Sequence, residues 1–203
     1  VSAATVHIGL ELACAAGRCT AVTTSATSGP YSPWSWSFGS SPIAPPASGT
    51  RLSPDSLNPT ALVAGGGATL ALFEGSSPGW LSDVRALRLG AGGAPVEAAP
   101  FTVSTAANMQ WRPAAASSGS THLVVWEDYR RATGSVVFGA RVSSSGAVLD
   151  PAGIALSTSA SPAVMPSVDW DGARWFVTWA SAGRVEGVRV GADGVVQGAV
   201  TTV

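Results

Sequence analysis

Pro113-Ala-Ala-Ala-Ser-Ser-Gly119-Ser-Thr-His-Leu-Val-Val-Trp126 and Pro166-Ser-Val-Asp-Trp-Asp-Gly172-Ala-Arg-Trp-Phe-Val-Thr-Trp179 align without a gap, 53 residues apart. Each reads as a β-hairpin, with a short first strand, a turn containing glycine, and a second strand that ends on a large aromatic. The interval extends beyond this pair. Phe73 joins Trp126 and Trp179, Gly66 joins Gly119 and Gly172, and Leu70 joins Leu123 and Phe176. Three columns in phase define a repeat, and a period of this length in units rich in Val, Trp, Thr and Gly is the mark of a radial array of small β-sheets.

The remainder of each unit supplies two more strands. Val136 to Val142 matches Asp83 to Leu89 and Val185 to Val190, and Gly93, Gly146 and Gly194 mark the turns that follow. A fourth strand closes on Val103-Ser104-Thr105 or Leu156-Ser157-Thr158. The connections are too short for parallel crossovers, so each unit is an antiparallel meander. The expected fold is therefore all-β, a β-propeller of four four-stranded antiparallel blades within one domain, at about residues 1–56, 57–109, 110–162 and 163–203. The first unit is the most divergent, and its segment Tyr31 to Phe38 follows no other unit. The phase at both termini favours a closed four-bladed ring. The alternative is a four-blade half of an eight-bladed ring, whose two open blade faces a second chain would have to cover.

Composition narrows the partners. Of the 203 residues only 11% are charged, and the formal net charge is −1, which removes the electrostatic case for nucleic acid or an anionic membrane surface. No apolar run is long enough to span a bilayer, and the chain starts at Val1, as an excised or processed segment would. Cys14 and Cys19 flank a turn-like Ala-Ala-Gly-Arg, which places the two thiols opposite each other across a hairpin and predicts a disulfide. A disulfide points to an oxidising, extracellular or cell-surface setting.

The strings Leu123-Val-Val-Trp-Glu-Asp128-Tyr-Arg130, Phe138-Gly-Ala-Arg-Val142 and Val148-Leu-Asp-Pro-Ala-Gly-Ile-Ala-Leu-Ser-Thr158 resemble repeats of large secreted proteins of myxobacteria and related environmental bacteria. The likeness covers about three of the four units and is strongest in the third. It implies a propeller on or outside the cell, and it transfers no catalytic residues. Asp128 and Arg130 match the most regular polar pair of those repeats, while the second and fourth units lack it, which implies loop bracing.

Few residues invite chemistry. His122 lies in a strand beside Leu123 and reads as a half-buried structural histidine, and His7 sits in the lead-in to the first blade. The carboxylate pairs Glu127-Asp128 and Asp169-Asp171 could be read as the acid and base of a propeller glycoside hydrolase. They fall at opposite rims, however, and should not converge. No metal site or cofactor is expected; calcium at Asp169 and Asp171 is the one exception to consider, with too few oxygens for a strong site.

Aromatics and arginines gather instead in the connections at one face, as Tyr31, Trp34, Trp36, Trp80, Trp111, Tyr129, Arg130 and Arg131. Indoles stack on sugar rings, and aromatic-plus-arginine clusters anchor protein interfaces. The expectation is thus an extracellular module without catalysis that recognises a glycan or protein. The alternatives are an assembly unit of a bacterial surface protein, self-assembling or dimeric, and lastly a propeller glycoside hydrolase.

Overall fold

The computed structural model describes residues 6–15, 17–26, 32–39, 49–53, 57–77, 81–131, 134–158 and 160–203. They form four separate four-stranded antiparallel sheets. Blade 1 contains β1 (Val6–Ala15), β2 (Arg18–Ala26), β3 (Ser32–Gly39) and β4 (Thr50–Arg51). Blade 2 contains β5 (Leu57–Gly65), β6 (Ala68–Ser77), β7 (Leu81–Leu89) and β8 (Phe101–Thr102). Blade 3 contains β9 (Gln110–Ser117), β10 (Thr121–Asp128), β11 (Val136–Ser143) and β12 (Ile154–Ala155). Blade 4 contains β13 (Ala163–Trp170), β14 (Arg174–Ser181), β15 (Arg184–Gly191) and β16 (Val196–Thr202). The chain is a propeller of four meandering blades. Inner strands pack in sequence, β1 beside β5, β5 beside β9, and β9 beside β13.

The strand patterns explain the stacking. In β10 every residue from His122 to Asp128 is buried, because its two faces serve two cores. Val124 and Trp126 point back to Leu70, Leu72 and Val84 of blade 2. Leu123 and Val125 point forward to Trp175, Val177 and Trp179 of blade 4. A third core joins Val22 and Leu52 of blade 1 to Ala71, Phe73, Leu87 and Leu89 of blade 2. Each fully buried Leu, Val or Phe contributes on the order of 1.5–3 kcal/mol relative to exposure, so these cores carry the array.

Among the described residues there are three such cores, one for each boundary along the chain, and none joins blade 4 to blade 1. β14 has the one-sided pattern of an end sheet. Trp175, Val177 and Trp179 are buried against blade 3, while Phe176, Thr178 and Ala180 face away and stay partly open. At the other end Leu10 and Leu12 of β1 are 70% and 56% exposed. The four blades therefore form an arc instead of the closed four-bladed ring that the phase of the termini favoured. The sequence column Leu70, Leu123, Phe176 marks equivalent positions, but equivalence does not supply a neighbour for the last of them.

Cys14 and Cys19 are bonded and are register partners across the β1–β2 hairpin. Among the described residues no helix is long and apolar enough to cross a membrane, and there is no cluster of three or more metal-ligating side chains.

Strand-three side chains tie each blade to the next. Ser37 Oγ donates to the Ala91 carbonyl at 3.2 Å, Arg88 Nη1 to Ser144 at 2.8 Å, and Arg141 Nη1 to Ala192 at 3.1 Å. The acceptors occupy the same turn in successive blades. Arg88 and Arg141 are themselves held within their blades by Glu97 and Asp150.

Candidate functional site

The inner strands share an irregularity. β5, β9 and β13 each slip register against their second strand, at Pro59, at Trp111 to Pro113, and at Met165-Pro166. Arg112 and Met165 sit 53 residues apart in these bulges, with φ of 50° and 56°, although neither is glycine and each precedes a proline. A left-handed backbone at a non-glycine residue costs about 1–2 kcal/mol, so something must hold it. What holds it is a carboxylate from the preceding blade. Arg112 N donates to Glu74 Oε1 at 2.7 Å, and Met165 N donates to Glu127 Oε1 at 2.8 Å.

Glu74 and Glu127 are also 53 residues apart, so the clasp is a repeated device. It brings two carboxylates to one place through Arg112, whose amide binds Glu74 and whose Nη1 pairs with Glu127 at 3.3 Å. Glu127 is covered on every side. It is 1% exposed, and Tyr129 Oη donates to its Oε2 at 3.1 Å. Glu74 is half-buried and also accepts the Trp111 indole N–H on Oε2 at 2.9 Å. Thr60, Glu74, Arg112, Ala114 and Met165 line an open cavity of about 370 Å³ at this edge of the inner strands.

The two carboxylates are not equivalent. Burial pushes the Glu74 carboxyl above its ordinary value, hydrogen bonds from Arg112 and Trp111 oppose this, and the neighbouring Glu127 charge adds to the rise. Burial also raises the Tyr129 phenol, reinforced by Glu127. The mouth brings together the Glu74 carboxyl, an arginine (Arg112) at 5.1 Å over the Trp111 ring, and an indole 38% exposed.

Of the aromatic and arginine residues singled out in the sequence, Trp111 and Tyr129 join this cluster. Arg130 does not. It forms a two-pronged ion pair with buried Asp128, lies 3.8 Å over the Phe138 ring, and donates to the Ala152 carbonyl. Asp128 also accepts the Trp126 indole N–H, so the Asp128–Arg130 pair braces its own loop. Arg131 is exposed on the adjoining loop. Trp34 and Trp36 lie on β3, paired with Thr23 and Ala21, on the outer face of blade 1 and away from the cavity. Tyr31 and Trp80 lie outside the described residues.

Asp171 caps the β13–β14 turn by accepting the amides of Ala173 and Arg174, which lower its carboxyl pKa. It is at the far end of the blade from Glu127. His122 is buried in β10, more deeply than the half-buried position expected. The sequence reading missed Glu74 and Arg112. The signal was present in the 53-residue spacing of Glu74 and Glu127, yet only the bulge brings a third residue between them.

No protein-family model matches the chain, and no curated protein matches it in sequence. Solved structures do match in shape. A subtype N10 neuraminidase-like protein of A/little yellow-shouldered bat/Guatemala is similar with a TM-score of 0.67 at 11% identity, covering 98% of this chain and 59% of that one. The α-L-arabinofuranosidase from Lactobacillus brevis gives a TM-score of 0.52 at 11% identity over 92% of this chain and 74% of the enzyme. The GH43_1 enzyme from Xanthomonas citri gives 0.53 at 12% identity, over 97% and 77%. The chain thus spans under two thirds of the neuraminidase-like protein and about three quarters of the two enzymes.

These neighbours correct the expectation of a binding module without catalysis. The propellers whose architecture this chain shares include named glycoside-cleaving enzymes, and the minor alternative in the sequence reading is the one that they favour. In the sequence the carboxylates were weighed as neighbours within one unit, whereas the structure brings Glu74 and Glu127 together from successive blades.

Proposed function

We propose that this chain is a glycoside-cleaving propeller in which Glu74 is the proton donor. The carrying observation is geometric: Glu74 lines an open cavity, and Arg112 joins it to the buried side chain of Glu127, while burial pushes the Glu74 carboxyl above its ordinary value. One carboxyl open to a cavity beside a second, buried one is the arrangement that acid-assisted glycoside cleavage uses. Glu74 transfers its proton to the departing glycosidic oxygen as the bond to the anomeric carbon breaks; water entering from the mouth then adds to that carbon and returns a proton to the Glu74 carboxylate, which restores the acid. Glu127, with three hydrogen bonds and almost no exposure, is the counter-charge that favours a protonated Glu74. The exposed Trp111 ring offers an apolar platform for a sugar face, and its N–H orients Glu74.

Support for the substrate class comes from the shape neighbours, named as α-L-arabinofuranosidase, GH43 and neuraminidase-like proteins. The Cys14–Cys19 bond supports work in an oxidising, extracellular setting, in keeping with the resemblance to secreted myxobacterial repeats. The test is release of reducing sugar from a panel of arabino-, xylo- and sialo-oligosaccharides, whose sugar leaving groups cannot depart without a proton. Turnover by the wild type that falls by about 10²–10⁴-fold in Glu74→Gln supports the reading. Absence of turnover across the panel, or full turnover by Glu74→Gln, rejects it.

A further inference from the structure

Each boundary inside the chain has one polarity: the forward face of a blade packs on the backward face of the next. Among the described residues, one face of each kind has no blade packed on it. On the backward face of blade 1, β1 presents Leu10 and Leu12, 70% and 56% exposed. On the forward face of blade 4 stand Phe176, Thr178, Ala180 and the 48% exposed Val185. The same face carries Arg189, register partner of Phe176 as Arg141 is of Leu123 and Arg88 of Leu70.

Arg189 is the fourth member of the column that ties blade to blade. Ser37, Arg88 and Arg141 each reach a turn carbonyl of the following blade. Arg189 has no following blade among the described residues. It is exposed and lies over the Phe176 ring at 5.3 Å. Blade 4 therefore offers an apolar ring and a carbonyl-seeking guanidinium, while blade 1 offers an apolar sheet face at the geometry that meets such a face elsewhere in the chain.

We propose that the occupant of both faces is a second copy of this chain. Two copies related by a two-fold axis place blade 4 of each against blade 1 of the other, which covers both open faces at once and closes an eight-bladed ring. Two-fold closure is the commonest form of self-association, and here it needs no surface beyond the two that are open. Other packings leave a free face. Pairing blade 1 to blade 1 buries the leucines but leaves Phe176 and Arg189 in water.

The experiment is light scattering on the eluting 203-residue chain over a range from about 0.1 to 100 μM, with circular dichroism as the folding control. A monodisperse particle of twice the 20.2 kDa chain is expected. Leu12→Glu and Phe176→Glu, both at positions already open to solvent in one copy, should each give folded monomers. Arg189→Ala should weaken the dimer by about tenfold at each of its two interfaces, hence about a hundredfold overall. A monomer across the whole range overturns the proposal. So does a dimer that survives Phe176→Glu but not Leu12→Glu, which is blade-1 pairing, and so does a mass that grows without limit with concentration, which is an open chain of copies.

Discussion

Replacing Gly194 by alanine probes the tie between blades 3 and 4 at a single atom. Gly194 has φ of +85°, and a Cβ there would lie 2.6 Å from Arg141 Nε and 2.8 Å from its Cζ. Two costs follow. The left-handed backbone disfavours alanine by about 1–2 kcal/mol. The guanidinium, only 18% exposed and held by Asp150, must also shift and give up its bond to the Ala192 carbonyl, which costs about a further 1 kcal/mol. The sum of about 2–3 kcal/mol should lower the melting temperature by about 5–10 °C in a chain of this length.

Gly172 supplies the control, because its φ is +99° and a Cβ there meets nothing within 4 Å. Gly172→Ala should therefore show the backbone cost alone, about 1–2 kcal/mol and about 3–6 °C. The contact with Arg141 is the difference, and it should vanish when Gly194→Ala is made in an Arg141→Leu background. Thermal melts followed by circular dichroism for the four variants suffice. Equal shifts for Gly194→Ala and Gly172→Ala would refute the placement of Arg141 across the boundary.

Other expectations follow from the same contacts. Burial depresses the pKa of His122 below its ordinary 6.5, so protonation favours the unfolded chain. Stability should be full above about pH 6.5 and decline as pH falls toward the folded value, and urea titrations should find that decline reduced in His122→Gln. Because Glu74 must be protonated to act, turnover should fall as pH rises through its elevated pKa, and Arg112→Met, which breaks the Glu127 pair while keeping the amide bond to Glu74, should move that alkaline limb. Replacing Cys14 and Cys19 together by serine opens a loop of only a few residues, so denaturant midpoints should report a loss of about 2 kcal/mol, and no more, with reductant giving a similar loss in the wild type.

Much of the architecture was legible because a blade must bury aromatics at fixed positions. Phe73, Trp126 and Trp179 all lie in the backward-facing half of a core, as their common phase required. Ring closure was not legible from phase. In sequence β14 reads apolar on both faces, with Phe176 and Ala180 between its buried residues, and only the structure shows that, among the described residues, one of those faces has no neighbouring core while both faces of β10 have one. Blade 1 follows another rule again. Thr23 stands where a core aromatic is expected, and the tryptophans have moved to β3.

The candidate site was hidden for a different reason. Its geometry depends on left-handed residues at Arg112 and Met165, each before a proline, which no propensity favours. Tertiary partners impose that backbone, and those partners lie 38 residues away in sequence. Trp34 and Trp36 were grouped with the connections at one face, but they lie within β3, where they alternate with Ser35 and share one face of the sheet.

The guanidinium ties and the three cores make every blade answerable to its immediate neighbours alone. Such a molecule has the thermodynamics of a short row of coupled units, in which an end unit is secured by one junction and a middle unit by two. Loss of structure should thus travel inward from the ends, and a lesion at the junction of blades 2 and 3 would divide the row into two pairs, separating Glu74 from the Arg112 that positions it.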